Sequence, residues 1–439
     1  MKPLKHSLIG ALFILLGSTI VSCGFGSTSN ASGNSITFWA ASNPPQVGFW
    51  TAMAQGYMNS HHGITISVTA MPESPTSEAG IQGALAGDAA PTASENIFTG
   101  FAALLAQDQV LVPLNTLPGW NDLINTRHMT QVMANWQFND GQSYVLPIYS
   151  NAMLVGWRSD ILKQLGYNTP PRTYGQVIAM GQKLKQKFPD KFVWVDNDLV
   201  LDEWSQRLFD FFPFYDAASN GHSFISGNQL TADNATAVDT LDFMNSLRQN
   251  NMLLTQNVNN PFETGTSVME VLGPWTYPAW AQQYPNLKFN KNYMLTPPPV
   301  PDDYPTNQNV KTYADSKGVV IYKQASPAQQ MTAWNFIKWV FSDPQHDQQW
   351  LQKTNLPPAR DDLSTNQAFT SFFQQNPELE AYAQEIPYAV PAMRNPKYTD
   401  LLTALGDDTV IPVVKGQKVP VQAWNDWKPS AQSTLSNPS

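Results

Sequence analysis

The chain has 439 residues, room for two large lobes or three small domains where ~150 residues make one average domain. Only 13% of residues are charged while 12% are aromatic, and that many large rings exclude a disordered chain. The net charge of −9 without a basic cluster argues against nucleic acid as a partner, and a single Cys excludes a disulfide framework, an Fe–S cluster and a cysteine-based zinc site.

Lys2 and Lys5 precede an apolar stretch from Leu8 to Val21, short for a membrane span and suited to a secretory signal. The stretch ends in Ile20-Val21-Ser22-Cys23-Gly24. A small residue before the lone Cys resembles the lipobox of bacterial lipoproteins, in which the signal is cleaved before the Cys and its thiol is acylated. The expectation is a signal peptide over 1–22 and a lipidated flexible tether over 23–35, rich in Gly, Ser and Asn. The protein would then stand outside the cytoplasm, held to the cell membrane only by lipid at Cys23.

Ile36 to Ala40 reads as a buried strand. Phe49, Trp50, Met53 and Tyr57 recur at helical spacing, Gly63 ends that helix, and Ile64, Ile66 and Val68 alternate as a second strand. This β-α-β opening marks an α/β layer fold. Asn96 to Phe98 is a brief strand, and Tyr144–Ile148 and Ala152–Trp157 are two more. Ser159 is expected to cap a helix over 160–165, and Thr173 another carrying Val177, Met180 and Leu184 on one face. Val238, Leu241, Met244 and Leu247 mark a further helix. Val268–Leu272 is a strand leading into Gly273-Pro274-Trp275, and Val319–Tyr322 is another. Ser326-Pro327 starts a helix with Met331, Trp334, Ile337 and Val340 as its apolar stripe. The last hundred residues read as helices broken by prolines, ending in a loose tail over 434–439.

Four blocks in order resemble one family. They are Gly87-Asp88-Ala89-Ala90-Pro91 before Asn96-Ile97-Phe98; Asp140–Pro147 followed by Leu154–Leu162; Phe262-Glu263-Thr264-Gly265 with Met269 and Gly273-Pro274-Trp275; and Ser326–Val340 followed by Asn355–Arg360. They are similar to the carbohydrate-binding family of extracellular solute-binding proteins of ABC importers, which includes maltose-binding protein. The resemblance implies an α/β, two-lobe, periplasmic-binding-protein-like type II fold with the ligand cleft between lobes. It implies lobes over 36–148 plus 299–343 and 149–298 plus 344–433, with crossings near Pro147–Asn151, near Tyr293–Pro301 and after the Trp334 helix. The implied protein is a monomeric receptor. It captures a mono- or oligosaccharide, delivers it to an ABC permease, and has neither enzymatic activity nor a cofactor.

Sugars present C–H faces that stack on aromatic rings and hydroxyls that bond amides and carboxylates. Trp275 matches the family's stacking Trp, with Tyr277 close behind. Trp39 ends the first strand, where α/β sheets face their cleft, and Asn43 follows it. Glu73 follows the second strand, and Glu95 and Asn96 stand near the family's acidic position. Tyr149 and Asn151 lie on the first crossing, Asn151 where the family's maltose binder has a ligand carboxylate. Glu203 and Trp204 resemble its acid-plus-aromatic segment, Tyr313 and Asp315 replace its glycine-rich loop, and Arg360 closes the fourth block. Two rivals stay open: a receptor of the same fold for polyamine or another small solute, and a secreted glycoside-active enzyme using Asp202 and Glu203. The adjacent His61-His62 pair has no metal-ligand spacing, so no metal site is expected.

Overall fold

The computed structural model describes residues 33–73 and 76–437. The expected signal peptide and Cys23 lie outside the described residues. In chain order the strands are β1 (Ser35–Ala40), β2 (Thr65–Ala70), β3 (Ala93–Ile97), β4 (Leu146–Ala152), β5 (Leu154–Trp157) and β6 (Phe192–Val195). A short hairpin, β7 (Ile225–Ser226) and β8 (Gln229–Leu230), precedes β9 (Leu253–Leu254), β10 (Ser267–Leu272), β11 (Met294–Thr296), β12 (Thr312–Ile321) and β13 (Ala389–Pro391).

Two mixed sheets organise the molecule. The first has the order β13-β12-β3-β1-β2, with β4 also paired to β12; the second has the order β11-β5-β10-β6-β9. β1 runs parallel to β2 and β3, while β12 runs antiparallel to both β3 and β4. In the second sheet β10, β6 and β9 are mutually parallel and β5 is antiparallel to β10. Helices pack on each sheet and give each its own core. Phe38, Trp50, Phe336 and Trp350 belong to the first; Trp157, Trp194, Leu241 and Trp424 to the second. Burying a side chain of Phe size contributes about 1.5–3 kcal/mol, so two such cores suffice for two lobes.

Local chemistry sets the helices. Asn43 accepts the Gln46 N–H and starts helix Pro44–Ser60, whose Phe49, Trp50, Met53 and Tyr57 are buried. Thr173 accepts the Gln176 N–H and starts Tyr174–Lys187. Ser326 and Gln329 form a reciprocal capping box at the start of Pro327–Phe341. Ser159 differs from expectation: it is the first residue of helix Ser159–Gln164, and its hydroxyl donates to the Lys291 carbonyl at 3.2 Å.

The lobe boundaries also differ. β1 starts inside the expected tether, with Ser35 opposite Thr65. All of β4 lies beside β12, so the chain changes sheet at Met153, whose N–H donates to the Tyr313 carbonyl at 2.9 Å. It returns between β11 and β12. Helix Pro344–Thr354 stays with the first core, because Trp350 packs edge-on against Phe49 at 5.1 Å. Residues 356–359 then run along β4, with the Ala359 N–H donating to the Ile148 carbonyl. Helices Gln367–Gln375 and Pro377–Glu385 pack in the second lobe against Leu154 and Leu272. β13 rejoins the first sheet, and helix Tyr398–Leu405 returns to the second core. The expected loose tail is helical to Ser436, because Trp424, Trp427, Ala431 and Leu435 bury one face of helix Pro420–Ser436.

Candidate functional site

β12 and β4 supply the floor of the site. Asp315 stands opposite Asn151 and Lys317 opposite Tyr149. Side chains alternate along strands, so these four share one face, while Ser150, Ala314 and Ser316 line a separate cavity on the other. Asn151 is fully buried and donates through Nδ2 to Asp315 Oδ2 at 3.3 Å. Asn151 Oδ1 and Asp315 Oδ1 are both buried without a partner. Buried polar groups are otherwise almost always satisfied, so these two acceptors without partners mark the β4–β12 pair as a candidate site. Burial raises the Asp315 carboxyl above the usual range, while Lys317 and Asn151 act to lower it. Tyr149 is buried and stacks on Trp350 at 6.0 Å.

The carboxyl ends of the first sheet's parallel strands supply the next wall. Glu95, on β3, is fully buried; Oε1 accepts the Ala41 N–H at 2.8 Å and Oε2 accepts from Gln46 Nε2 at 3.0 Å. Burial pushes its carboxyl up to about 7 despite these bonds. Glu95 thus fixes the loop after β1 that carries Asn43, itself exposed and engaged in helix capping. Asn96 takes the left-handed conformation at φ 67° and donates to Ser77 Oγ at 3.4 Å. Trp39 is half-buried against the first lobe, and Glu73 is exposed beyond β2.

Rings from the second lobe face these elements. Trp275 follows β10 and, at 42% exposed, is the most open large ring among the described residues. It meets Phe209 edge-on at 5.8 Å, and Phe209 meets Tyr313 at 6.3 Å. Trp204 bridges the lobes, 5.9 Å from Phe98 and 5.4 Å from Tyr398. Lys317 Nζ lies 4.1 Å over the Phe98 ring. The lobes also touch where Thr99 Oγ1 donates to the Ala392 carbonyl at 2.9 Å, and where Gly100 passes so close to Tyr398 that a Cβ would lie 2.4 Å from its ring. Glu203 is exposed beside this contact and accepts from Gln206 Nε2 at 3.4 Å.

Besides Asn43, two expected site residues are engaged elsewhere. Tyr277 is buried in the second core, its hydroxyl 3.0 Å from that of Tyr382 and its ring among Trp280 and Tyr293. Arg360 is held by Asp347 at 3.0 Å and Asp362 at 2.8 Å, which fixes the turn after residue 355. Among the expected residues, Asn151 pairs with Asp315 across β4 and β12, Trp275 reaches Tyr313 on β12 through Phe209, and Trp204 reaches Lys317 on β12 through Phe98. Phe98 follows β3, so the strand-end rule that pointed to Trp39 had the means to find it.

The model of the bacterial extracellular solute-binding protein family matches residues 52–381. An uncharacterized protein from Listeria monocytogenes is 47% identical in sequence and similar in structure with a TM-score of 0.83, over 92% of this chain and 100% of that one. The fold is shared, at 17% identity, by two receptors. The acarbose-binding GacH receptor of Streptomyces glaucescens matches with a TM-score of 0.74 over 92% of this chain and 99% of its own. The cyclic maltosyl-maltose binding protein of Arthrobacter globiformis matches with a TM-score of 0.77 over the same shares. A probable ABC transporter-binding protein of Deinococcus radiodurans is 36% identical over 56 residues, and this match spans 12% of the chain and 13% of that curated relative. With a two-lobe α/β fold and a family match over most of its length, the chain belongs to the bacterial extracellular solute-binding proteins.

Proposed function

We propose that the protein is a lipid-anchored receptor that captures a mono- or oligosaccharide between its lobes and presents it to the permease of an ABC importer. The observation that carries the reading is a pair of buried acceptors without partners, Asn151 Oδ1 and Asp315 Oδ1 on β4 and β12, with the open Trp275 ring joined to β12 through Phe209 and Tyr313. Sugars need this combination: acceptors for hydroxyls and a flat apolar face for C–H groups. Saccharide-binding receptors of the same fold support it. Ligand touching both lobes favours the closed state by its differential affinity alone, and closure prepares the surface a permease would read. The receptor works as a monomer, and any ATP hydrolysis belongs to the transporter.

Replacing Trp275 with alanine is expected to weaken saccharide binding by about 1 kcal/mol or more, roughly fivefold, in calorimetry. Unchanged affinity contradicts the assignment of this ring. Anchoring rests on Cys23 behind the apolar stretch Leu8–Val21. No helix among the described residues is long and apolar enough to cross a membrane. Cys23→Ala is expected to move the protein from the membrane fraction to the soluble one, and retention in the membrane contradicts lipidation at this site.

A further inference from the structure

A cavity of about 190 Å³ opens where β6, β9 and β10 end, the edge that also delivers Trp275. Its wall includes Asp196 and Asp198 after β6, Gln256 after β9, Glu270 on β10, and Phe209 and Asp210 from the short helix Arg207–Asp210. Phe209 is shared with the cleft through its contacts with Trp275 and Tyr313, so the cavity adjoins the proposed saccharide site.

Four carboxyl groups line this space, and among the described residues no Lys, Arg or His lines it with them. Their internal partners are few. Asp210 Oδ2 accepts from Arg207 at 2.6 Å, and one Asp196 oxygen accepts the Asp198 N–H at 2.9 Å. Asp210 is 1% exposed, yet its Oδ1 has no partner, and neither does buried Glu270 Oε2. Burying carboxylates costs free energy unless they are paired and bonded. Accordingly burial and mutual repulsion push Asp196 up to about 7, and burial pushes Asp210 up to about 6 despite Arg207. Glu270 is raised by burial and by the neighbouring Glu263, Asp196 and Asp198. A hydroxyl group needs one acceptor; a convergence of four acids with two orphaned oxygens suits a positive charge. Among the described residues no group of three or more His, Cys, Asp or Glu is arranged to hold a metal ion, which leaves an organic cation.

We propose that the ligand is an amine-bearing saccharide whose ammonium group enters this cavity while its ring lies against Phe209 and Trp275. The inference rests on the saccharide reading above and narrows it to aminated sugars. Arg207, paired with Asp210, is one cation beside four carboxyl groups, and the ammonium adds a second whose N–H groups reach Glu270 Oε2 and Asp210 Oδ1.

The test is calorimetry on the mature chain near pH 6.5 with a β-1,4-linked glucosamine trisaccharide, its fully N-acetylated form, the matching glucose trisaccharide and spermidine. Tightest binding of the glucosamine probe, weakened about tenfold or more by Glu270→Gln, supports the proposal. Glu270→Gln keeps the size of a half-buried side chain and one acceptor oxygen, so the fold is expected to be retained; Asp198→Asn, at the start of the 3-10 turn Asp198–Val200, is expected to act in the same direction. Equal or tighter binding of the glucose or N-acetylated probe, indifferent to both variants, overturns the ammonium site and leaves the saccharide reading standing. Binding of spermidine with none of the sugars overturns both, and so does failure of all four probes to bind.

Discussion

Replacing Asp347 with alanine is expected to lower the unfolding free energy of the first lobe by about 3–5 kcal/mol, the cost of stripping one partner from a buried ion pair. Asp347 is fully buried and serves two guanidinium groups, Arg127 at 2.8 Å and Arg360 at 3.0 Å. Arg127 is itself fully buried, sits 4.2 Å over the Phe341 ring, and donates to the carbonyls of Pro147 and Ile148 on β4. Without Asp347, two cations stay in the interior and only Arg360 keeps a carboxylate, that of Asp362. The exposed pair Lys418–Asp426, 3.1 Å apart, is the control: Lys418→Ala is expected to cost no more than about 1 kcal/mol. Urea denaturation followed by fluorescence checks both. Equal midpoints for the two variants contradict the weight given to burial. Because Arg127 holds β4, the Asp347 variant is also expected to bind ligand more weakly without touching it.

The second large effect is on binding. Asp315→Ala removes a buried carboxyl with one free oxygen and leaves the Asn151 amide without its acceptor. Hydrogen bonds to charged groups are worth about 1.5–3 kcal/mol, so affinity for the cognate saccharide is expected to fall ten- to hundredfold. Asp315→Asn, which keeps one acceptor oxygen, is expected to lose less. Calorimetry at matched thermal stability separates this from unfolding, and an affinity equal to wild type for both variants removes the β4–β12 floor from the site.

What was legible in the sequence was local. Ser326-Pro327 carries a helix start in two residues, and the structure adds Gln329 as the partner in a capping box there. Gly273-Pro274-Trp275 is legible for the same reason: a strand stops, the chain turns, and a ring is left at the sheet's carboxyl edge. Tyr277, two residues on, looked equivalent, but the backbone passes from a tight turn into helix Tyr277–Gln283 and buries that ring beside Tyr382. Arg360 stood in a family motif, while its binding partner Asp347 lies on helix Pro344–Thr354 and connects onward to Arg127, more than 200 residues away in sequence. No local pattern reports such a network. The acids at 196, 198, 210 and 270 are scattered along the chain and meet only because β6 lies between β9 and β10. Prolines open several helices at the end of the chain, as at Pro344, Pro377 and Pro420, and one sits inside a helix. Pro420 occupies a first helical turn, where its missing N–H costs nothing, and Pro429 is tolerated inside a helix whose opposite face is fastened by tryptophans.

The proposed site holds one saccharide between Trp275 of the second lobe and the Asn151–Asp315 floor of the first. A crystal structure with the tightest-binding saccharide from the calorimetric panel tests it most directly. The expected result is a sugar ring against Trp275 with its donors on Asn151 Oδ1 and Asp315 Oδ1. A saccharide bound away from both, with these two oxygens still without partners, contradicts it.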